Sequence, residues 1–524
     1  MNKMQQKKHS RLLKIGSFLI GLIVLLSFIA MQTPKKNSPR PNIIIIMADD
    51  MGYSDIGCYG SEISTPNLDK LAESGIKLKN FYNAGRCCPT RASLLTGNYS
   101  HSVGMGLMVT FEDQKVPKGS YQGYLDYNVP TIAEELKAAG YKTYMTGKWH
   151  VGESPEHWPL KRGFDKYFGL ISGASSYFEV LKEKRKRFMV LNDQEYALPT
   201  EGYYATDAFT DKAIEFIKES DRKPNPFFLY LAYTAPHFPL HAYEEDIAKY
   251  ENMYLQGWDV IRQNRFNKMK KLGLADKNDQ LPPRPNDIPA WETIVDKKTW
   301  ARKMAVYAAM IDRMDRNIGK LIQSLKEQKQ YDNTLIVFLS DNGGTSENMD
   351  DRKLNEPNKR IGERGSYQTY DTPWANVSNT PFRMYKRFMH EGGIRTPCIM
   401  SWHDKIKPQK GYIDAPSHVI DLLPTSLDLA QTTPKQAVGT SLSYLWNGQK
   451  YPQRTLFWEH EGNKAIRKGN WKLVKEKEDA EWELYNLKTD PSEMNNLANK
   501  SATTVKEMQT EYEVWAKKVG VKGY

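Results

Sequence analysis

Five short stretches of this 524-residue chain hold residues whose types and spacing can do chemistry. Asp49 and Asp50 close "NIIIIMADD"; Lys148 and His150 lie in "GKWH" after "YKTYMT"; His237 sits in "TAPHFPLH" after "PFFLYLAY"; Asp341 and Asn342 open "DNGG" after "TLIVFLS". The fifth is "NAGRCCPTRASLLTG", with Cys87, Cys88 and Arg91. One aspartate pair is more often a turn or a helix cap than a metal site, and one histidine beside proline is more often structural. Four polar clusters at the ends of apolar runs point instead to one site, because open α/β sheets bind ligands at the carboxyl ends of their strands. Asp49, Asp50, Asp341 and Asn342 offer only oxygen, which suits a hard divalent cation, Ca²⁺ or Mg²⁺. Zinc would call for histidine or cysteine, and Asn342 stands where a histidine would signal it. Lys148, His150, His237, Arg91 and Lys386 add positive charge and donors, and together with a divalent ion they would clamp a sulfate or phosphate group.

The cysteine pair is harder to read. The chain has four cysteines, too few for a disulfide scaffold at this length, and a bridge between adjacent residues would be badly strained. Pro89 suits the first position of a helix running to about Thr96. Cys87 then lies just ahead of that helix, where the dipole lowers a thiol's pKa. A cysteine nucleophile is allowed, yet a thiolate attacking a sulfate or phosphate ester beside a hard cation is an unusual pairing. "GYKTYMTGKWH" is not a phosphate-binding loop, since Trp149 replaces the required Ser or Thr.

The elements that position these residues alternate. The four isoleucines from Ile43 read as a strand buried on both faces, as in parallel sheets. Helices are expected at 66–75, 130–140, 207–220 and 297–328, with strands at 141–147, 226–233 and 334–340. The segment 245–296 carries no strand signal and reads as an insertion over one side of the sheet. After about residue 410 short antiparallel strands appear, with a Gly-Asn turn, before a final helix at 501–518. The organisation expected is a catalytic α/β domain over 41–410 and an α+β subdomain over 411–524.

Ahead of them, Lys3, Lys7, Lys8, Arg11 and Lys14 precede an uncharged run from Ile15 to Thr33. Residues 1–33 read as a leader for export to the periplasm or beyond, and 34–40 as a linker. Phe28 spoils the cleavage site before Ala30, so an uncleaved leader would anchor the chain to the inner membrane. Those five basic residues contribute to a formal net charge of +12. The remaining excess suits an anionic substrate, and equally a solvated surface. No basic helix interleaved with aromatics argues for nucleic acid.

Cys87 through Gly97 matches C-x-P-x-R-x-x-x-L-T-G without a gap. This resembles the signature of type I sulfatases. "NIIIIMADDMGYSDIGCYG", "TGKWH", "TAPHFPLH", "FLSDNGG" and "KRFMHEGGIRTP" resemble that family's blocks in the same order. "GWDVIRQNRFNKMKKLGL" and "NTPFRMYKRFMHEGG" are similar to the branch with bacterial arylsulfatases. The resemblance implies the alkaline phosphatase-like fold: a mainly parallel sheet between helices, with a smaller C-terminal antiparallel sheet. It implies that Cys87 is oxidised by a formylglycine-generating enzyme to Cα-formylglycine, whose hydrate is the nucleophile. A gem-diol can release sulfate by C–O cleavage, which a serine cannot. It further implies that Asp49, Asp50, Asp341, Asn342 and the modified Cys87 hold Ca²⁺. Arg91 and Lys148 match residues on the hydrate and the sulfate; His150 matches the base that breaks down the intermediate. His237 and Lys386 match residues on the sulfate and its leaving oxygen. The substrate implied is an aryl sulfate or a sulfated carbohydrate.

Two other readings compete. A phosphonate or phosphate diester hydrolase of the same fold would use the same residues. A surface protein binding sulfated glycans with a dead site would need a lost catalytic position, and every matched position is intact. The motif separates the two cysteines: Cys87→Ala should abolish turnover, whereas Cys88→Ser should keep most of it, measured as release of 4-nitrophenol from its sulfate ester. Loss of aldehyde formation in Cys88→Ser would reverse the assignment.

Overall fold

The computed structural model describes residues 39–109, 116–181, 186–219, 225–350, 354–477 and 480–522. The leader expected over 1–33 lies outside them. Among the described residues no helix is long and apolar enough to cross a membrane.

Ten strands form one sheet: β1 (Asn42–Ala48), β2 (Ile76–Tyr82), β3 (Lys142–Gly147), β4 (Lys166–Leu170), β5 (Met189–Leu191), β6 (Gln194–Glu195), β7 (Phe227–Ala232), β8 (Thr334–Ser340), β9 (Arg395–Ser401) and β10 (Ser417–His418). Their order is β10-β2-β9-β8-β1-β7-β3-β4-β5-β6. The centre, β8-β1-β7-β3-β4, is wholly parallel. β9 and β5 run against their neighbours. β1 lies inside this block between β8 and β7, with Ile43 to Ala48 at most 1% exposed, as an all-apolar run requires.

Helices cover both faces. α1 (Pro66–Glu73), α2 (Cys87–Thr96), α3 (Ile132–Ala138), α4 (Ala205–Glu219) and α5 (Trp258–Leu272) precede the 31-residue α6 (Lys297–Glu327). α1, α4, α5 and α6 pack on the face that includes Ile44 and Ile46. α2 and α3 pack on the face that includes Ile43 and Ile45, with α7 (Leu422–Leu429). The two sets of side chains alternate along β1, as a period of two demands. α3 starts on a capping box, Thr131 Oγ1 accepting from the Glu134 N–H and Glu134 accepting from the Thr131 N–H. The 245–296 segment forms no strand; Trp258, Ile261, Phe266 and Met269 of α5 bury into the first face.

α2 departs from expectation. It begins at Cys87, not Pro89, so proline occupies its third position. The first-turn N–H groups have no partner within a helix, so a proline there forfeits nothing. The helix ends at Gly97, whose φ of 68° makes the left-handed cap.

A second sheet, β11 (Thr455–His460), β12 (Asn463–Lys468), β13 (Trp471–Lys475) and β14 (Glu483–Asn486), is antiparallel throughout. Gly469-Asn470 turns β12 into β13, and α8 (Ala502–Val519) packs on this sheet. Buried charge joins it to the large one. Lys472 of β13 lies 2.8 Å from both Glu391 and Glu493. Glu391 also pairs with Arg395 at 3.2 Å and accepts from the Tyr82 hydroxyl at 2.8 Å. Burial pushes the Glu391 carboxyl up, but Lys472, Arg395 and Arg467 outweigh it and hold it at about 2.

Removing one partner of a buried ion network leaves charge uncompensated, at about 3–5 kcal/mol. Lys472→Met should therefore lower unfolding stability by about that amount. Lys468→Met, which breaks a solvent-exposed pair with Glu511, should cost about 0.5 kcal/mol or less. Chemical denaturation of the two variants side by side checks the difference.

Candidate active site

Because β8, β1, β7 and β3 are adjacent and parallel, the residues that follow them converge at one edge of the sheet. Asp341 and Asn342 follow β8, Asp49 and Asp50 follow β1, His237 follows β7, and Lys148 and His150 follow β3. The N-terminus of α2 adds Cys87 and Arg91, and the turn at 384–387 adds Lys386. All ten sequence-predicted residues are thus brought together.

Asp49, Asp50 and Asp341 are at most 1% exposed. Three cations meet them. Lys148 Nζ lies 2.6 Å from Asp49 Oδ2, Arg91 donates to Asp341 Oδ2 at 2.9 Å, and Lys386 Nζ lies 2.8 Å from Asp50 Oδ2. Arg91 also donates to the Lys148 carbonyl at 2.9 Å, locking α2 to the end of β3. Asn342 Nδ2 donates to Asp50 Oδ1 at 2.7 Å, and His237 Nε2 lies 3.5 Å from Asp50 Oδ2. Asp50 and His150 hold left-handed backbone, with φ of 61° and 57°. Such conformations in non-glycine residues persist where surrounding contacts over-determine them, and they concentrate at functional sites.

The donor set fits a hard cation. Asp49, Cys87 and Asp341 each present a ligand atom within 4.8 Å of the others, as do Asp49, Asp50 and His237. Asp49 Oδ1 and Asn342 Oδ1 are buried without a hydrogen-bond partner. Unpaired buried oxygens are costly, and a cation is the partner such a set accommodates.

Cys87 is 2% exposed. Its thiol is held well below the ordinary range, first because Cys88 donates a hydrogen bond to it, then by Lys148, Lys386 and a hydrogen bond from His150, against the effect of burial. Cys88 is wholly buried in the apolar core beneath α2, and burial together with that donation pushes its own thiol up. Burial and the Lys148 charge bring His150 down to about 3. Burial brings His237 to about 4, against the Asp50 charge. Both imidazoles are neutral near pH 7. The His150 ring lies against Gly173, where a Cβ would fall 2.4 Å from its Cε1.

A cleft of about 150 Å³ opens over Cys87, His150, His237 and Lys386. Its other walls include Arg86, Met108, Gly173, Arg187, Glu347 and Tyr367, none of which sequence reasoning singles out by itself. Arg86 adjoins the motif and was within reach of it; Glu347 and Tyr367 stand in loops without periodicity, and nothing marks them. The aromatic runs at 123–128 and 175–180 do not line this cleft. Tyr177 is core, its hydroxyl donating to the Thr234 and His237 carbonyls at 2.6 and 2.9 Å. A larger cavity, about 380 Å³, lies between 266–283 and 489–495 and shares no residue with the cleft. It holds none of the clustered acids or nucleophiles, so volume alone does not select the site.

Comparison with known proteins assigns this arrangement. The Sulfatase family model matches residues 41–432, and a model of the N-sulphoglucosamine sulphohydrolase C-terminal region matches 382–518. An uncharacterized sulfatase of Schizosaccharomyces pombe is 35% identical over 92% of this chain and 95% of its own length. An arylsulfatase of Klebsiella aerogenes is 36% identical over 79% of this chain and 94% of its own. The solved structure of Ps i-CgsB in complex with k-i-k-neocarrahexaose is similar at 30% identity and a TM-score of 0.68, covering 91% of this chain and 93% of that one. These likenesses do not favour the phosphodiester alternative. The large mixed sheet, the small antiparallel sheet and the acid-lined strand ends are those of an alkaline phosphatase-like fold, and the chain belongs to the type I sulfatase family, enzymes that hydrolyse sulfate esters.

Proposed function

We propose that this enzyme removes sulfate from a sulfated carbohydrate, using Cys87 as Cα-formylglycine and Ca²⁺ held by Asp49, Asp50, Asp341, Asn342 and residue 87. One observation carries the reading: Cys87 lines the cleft with its sulfur within 4.8 Å of ligand atoms of Asp49 and Asp341, beside an acid cluster whose charge three cations already balance. Three acids and three bases cancel, so an added cation leaves a positive excess for an anionic ester. The carbohydrate assignment draws support from the neocarrahexaose bound in the similar structure. The leader at the N-terminus fits export, which is where such glycans are met.

Ca²⁺ would acidify and orient a hydroxyl on the hydrate and draw negative charge from the sulfuryl oxygens; the formylglycine hydrate would supply that hydroxyl as nucleophile. The chain's own side chains do the rest. Lys148 and Arg91 hold the sulfuryl group and the residue-87 side chain by charge-assisted hydrogen bonds. His150, a neutral imidazole beside residue 87, accepts a proton from the hydrate in the tautomer that turns its bare ring nitrogen to that residue. His237 and Lys386, which line the cleft beside Asp50, stand at the leaving oxygen, where a proton or a positive charge is needed as the C–O⁻ develops.

Three measurements check this. Peptide mapping of protein from the native host should find residue 87 lighter by one sulfur and two hydrogens and heavier by one oxygen; unmodified cysteine would argue for an inactive site. Ca²⁺ at a hundredfold excess over Kd should add about 2.7 kcal/mol to the stability of chelated protein. Asp341→Asn should lose that gain, and a larger response to Mg²⁺ would reverse the choice of ion. A desulfation screen should show defined sulfated sugars turned over with higher kcat/KM than 4-nitrophenyl sulfate, with phosphate diesters far below both.

A further inference from the structure

Glu347 belongs to none of the polar clusters. It follows β8 by a short loop, its side chain is 14% exposed, and it lines the cleft with Cys87, His237 and Lys386. Its two oxygens face opposite ways. Oε2 lies 3.3 Å from Lys386 Nζ, and Oε1 lies 3.1 Å from an Arg86 terminal nitrogen. The Glu347 N–H donates to Thr345 Oγ1 at 3.2 Å, and that hydroxyl donates to Oε2 at 3.3 Å, so the loop is tied to the carboxylate it presents. Burial pushes this carboxyl up, but Lys386 and Arg86 outweigh it and hold it at about 2.

Lys386 needs such an anchor. Its backbone is fixed: its N–H donates to the Gly344 carbonyl at 3.1 Å and that of Arg387 to Gly85 at 2.9 Å, in a turn with φ of 62° at Met384 and 84° at Arg387. The ammonium beyond it rides on a flexible four-carbon stem. Asp50 holds it at 2.8 Å, but Asp50 is shared with Asn342 and His237 and stands in the candidate cation set. Glu347 is the acid that grips the ammonium from the cleft side, outside that set. Misplacing a reacting group by about 1 Å can cost about a hundredfold in rate.

We propose that Glu347 is a positioning residue that holds the Lys386 ammonium at the leaving oxygen of the ester, with Arg86 bracing Glu347 through its other oxygen. This rests on the sulfatase reading and on Lys386 acting at the leaving oxygen. It sets Glu347 apart from a residue that only binds substrate, because its effect must grow as the leaving group worsens.

The test is a series of aryl sulfates running from dinitrophenyl through 4-nitrophenyl to phenyl, with rates normalised to the fraction of residue 87 present as aldehyde. For Glu347→Gln, kcat should fall about 10–100-fold on phenyl sulfate and less than about threefold on dinitrophenyl sulfate, with KM within about threefold throughout. Glu347→Asp, which keeps the charge on a shorter arm, should show a smaller steepening of the same sign, and it decides the matter if the glutamine variant does not fold. Equal loss along the series, a change confined to KM, or an unchanged slope overturns the positioning role. A wild-type protein that carries the aldehyde and cleaves neither these esters nor any of the defined sulfated sugars overturns the sulfatase reading instead, and the role falls with it.

Discussion

Three carboxylates buried side by side are the constraint around which the molecule is organised. Asp49, Asp50 and Asp341 come from the ends of adjacent strands and are shut off from water. Burial raises the Asp49 carboxyl, with the Asp50 charge adding to the rise, and it lifts the Asp341 carboxyl well above its ordinary value, with the Asp49 charge adding to it. Such a group is tolerable only where opposite charge stands at contact distance. The compensating cations cannot come from the same strands without filling the site, and they do not. Arg91 arrives from α2, Lys148 from the loop after β3, and Lys386 from a turn some forty residues beyond β8. The positions of α2, of the β3 end and of the 384–387 turn are thereby fixed to within a hydrogen-bond length.

The same arithmetic explains how much was legible in advance. β1 declares itself because a strand covered on both faces has to be apolar throughout, and its end is therefore visible as the first acid. β7 and β8 repeat the pattern, so three of the four clusters could be placed without knowing the strand order. What could not be read was that β8, β1, β7 and β3 are neighbours, since order in a parallel sheet is set by helix crossings spread over hundreds of residues. The start of α2 was misplaced by two residues because proline is acceptable at more than one position of a first turn.

The walls of the cleft were less legible than its floor. The segments 100–130 and 170–200 supply Met108, Gly173, Ala174 and Arg187 to it, whereas 245–296 supplies nothing to it and lines the separate larger cavity. Glu347, Met349 and Tyr367 come from a stretch with neither periodicity nor motif. Floor residues answer to chemistry that admits few side chains, whereas wall residues answer to the shape of one ligand. Gly173 shows the difference: a missing side chain there makes room for the His150 ring, and a lone glycine in a loop announces no such thing.

The burial of Cys87 bears on the order in which the molecule is made. Its sulfur is enclosed by groups from Asp49 to Lys386, and the turn that carries Lys386 runs directly into the segment that Lys472 of β13 holds by buried charge. A thiol that is 2% exposed in the finished fold offers no purchase to another enzyme. During synthesis, however, residue 87 emerges some three hundred residues before the last of its enclosing partners. The fold therefore leaves a long interval in which the motif is complete in sequence and its pocket is not yet built, and the conversion proposed for Cys87 would fall within it. Length of chain thus acts here as a clock.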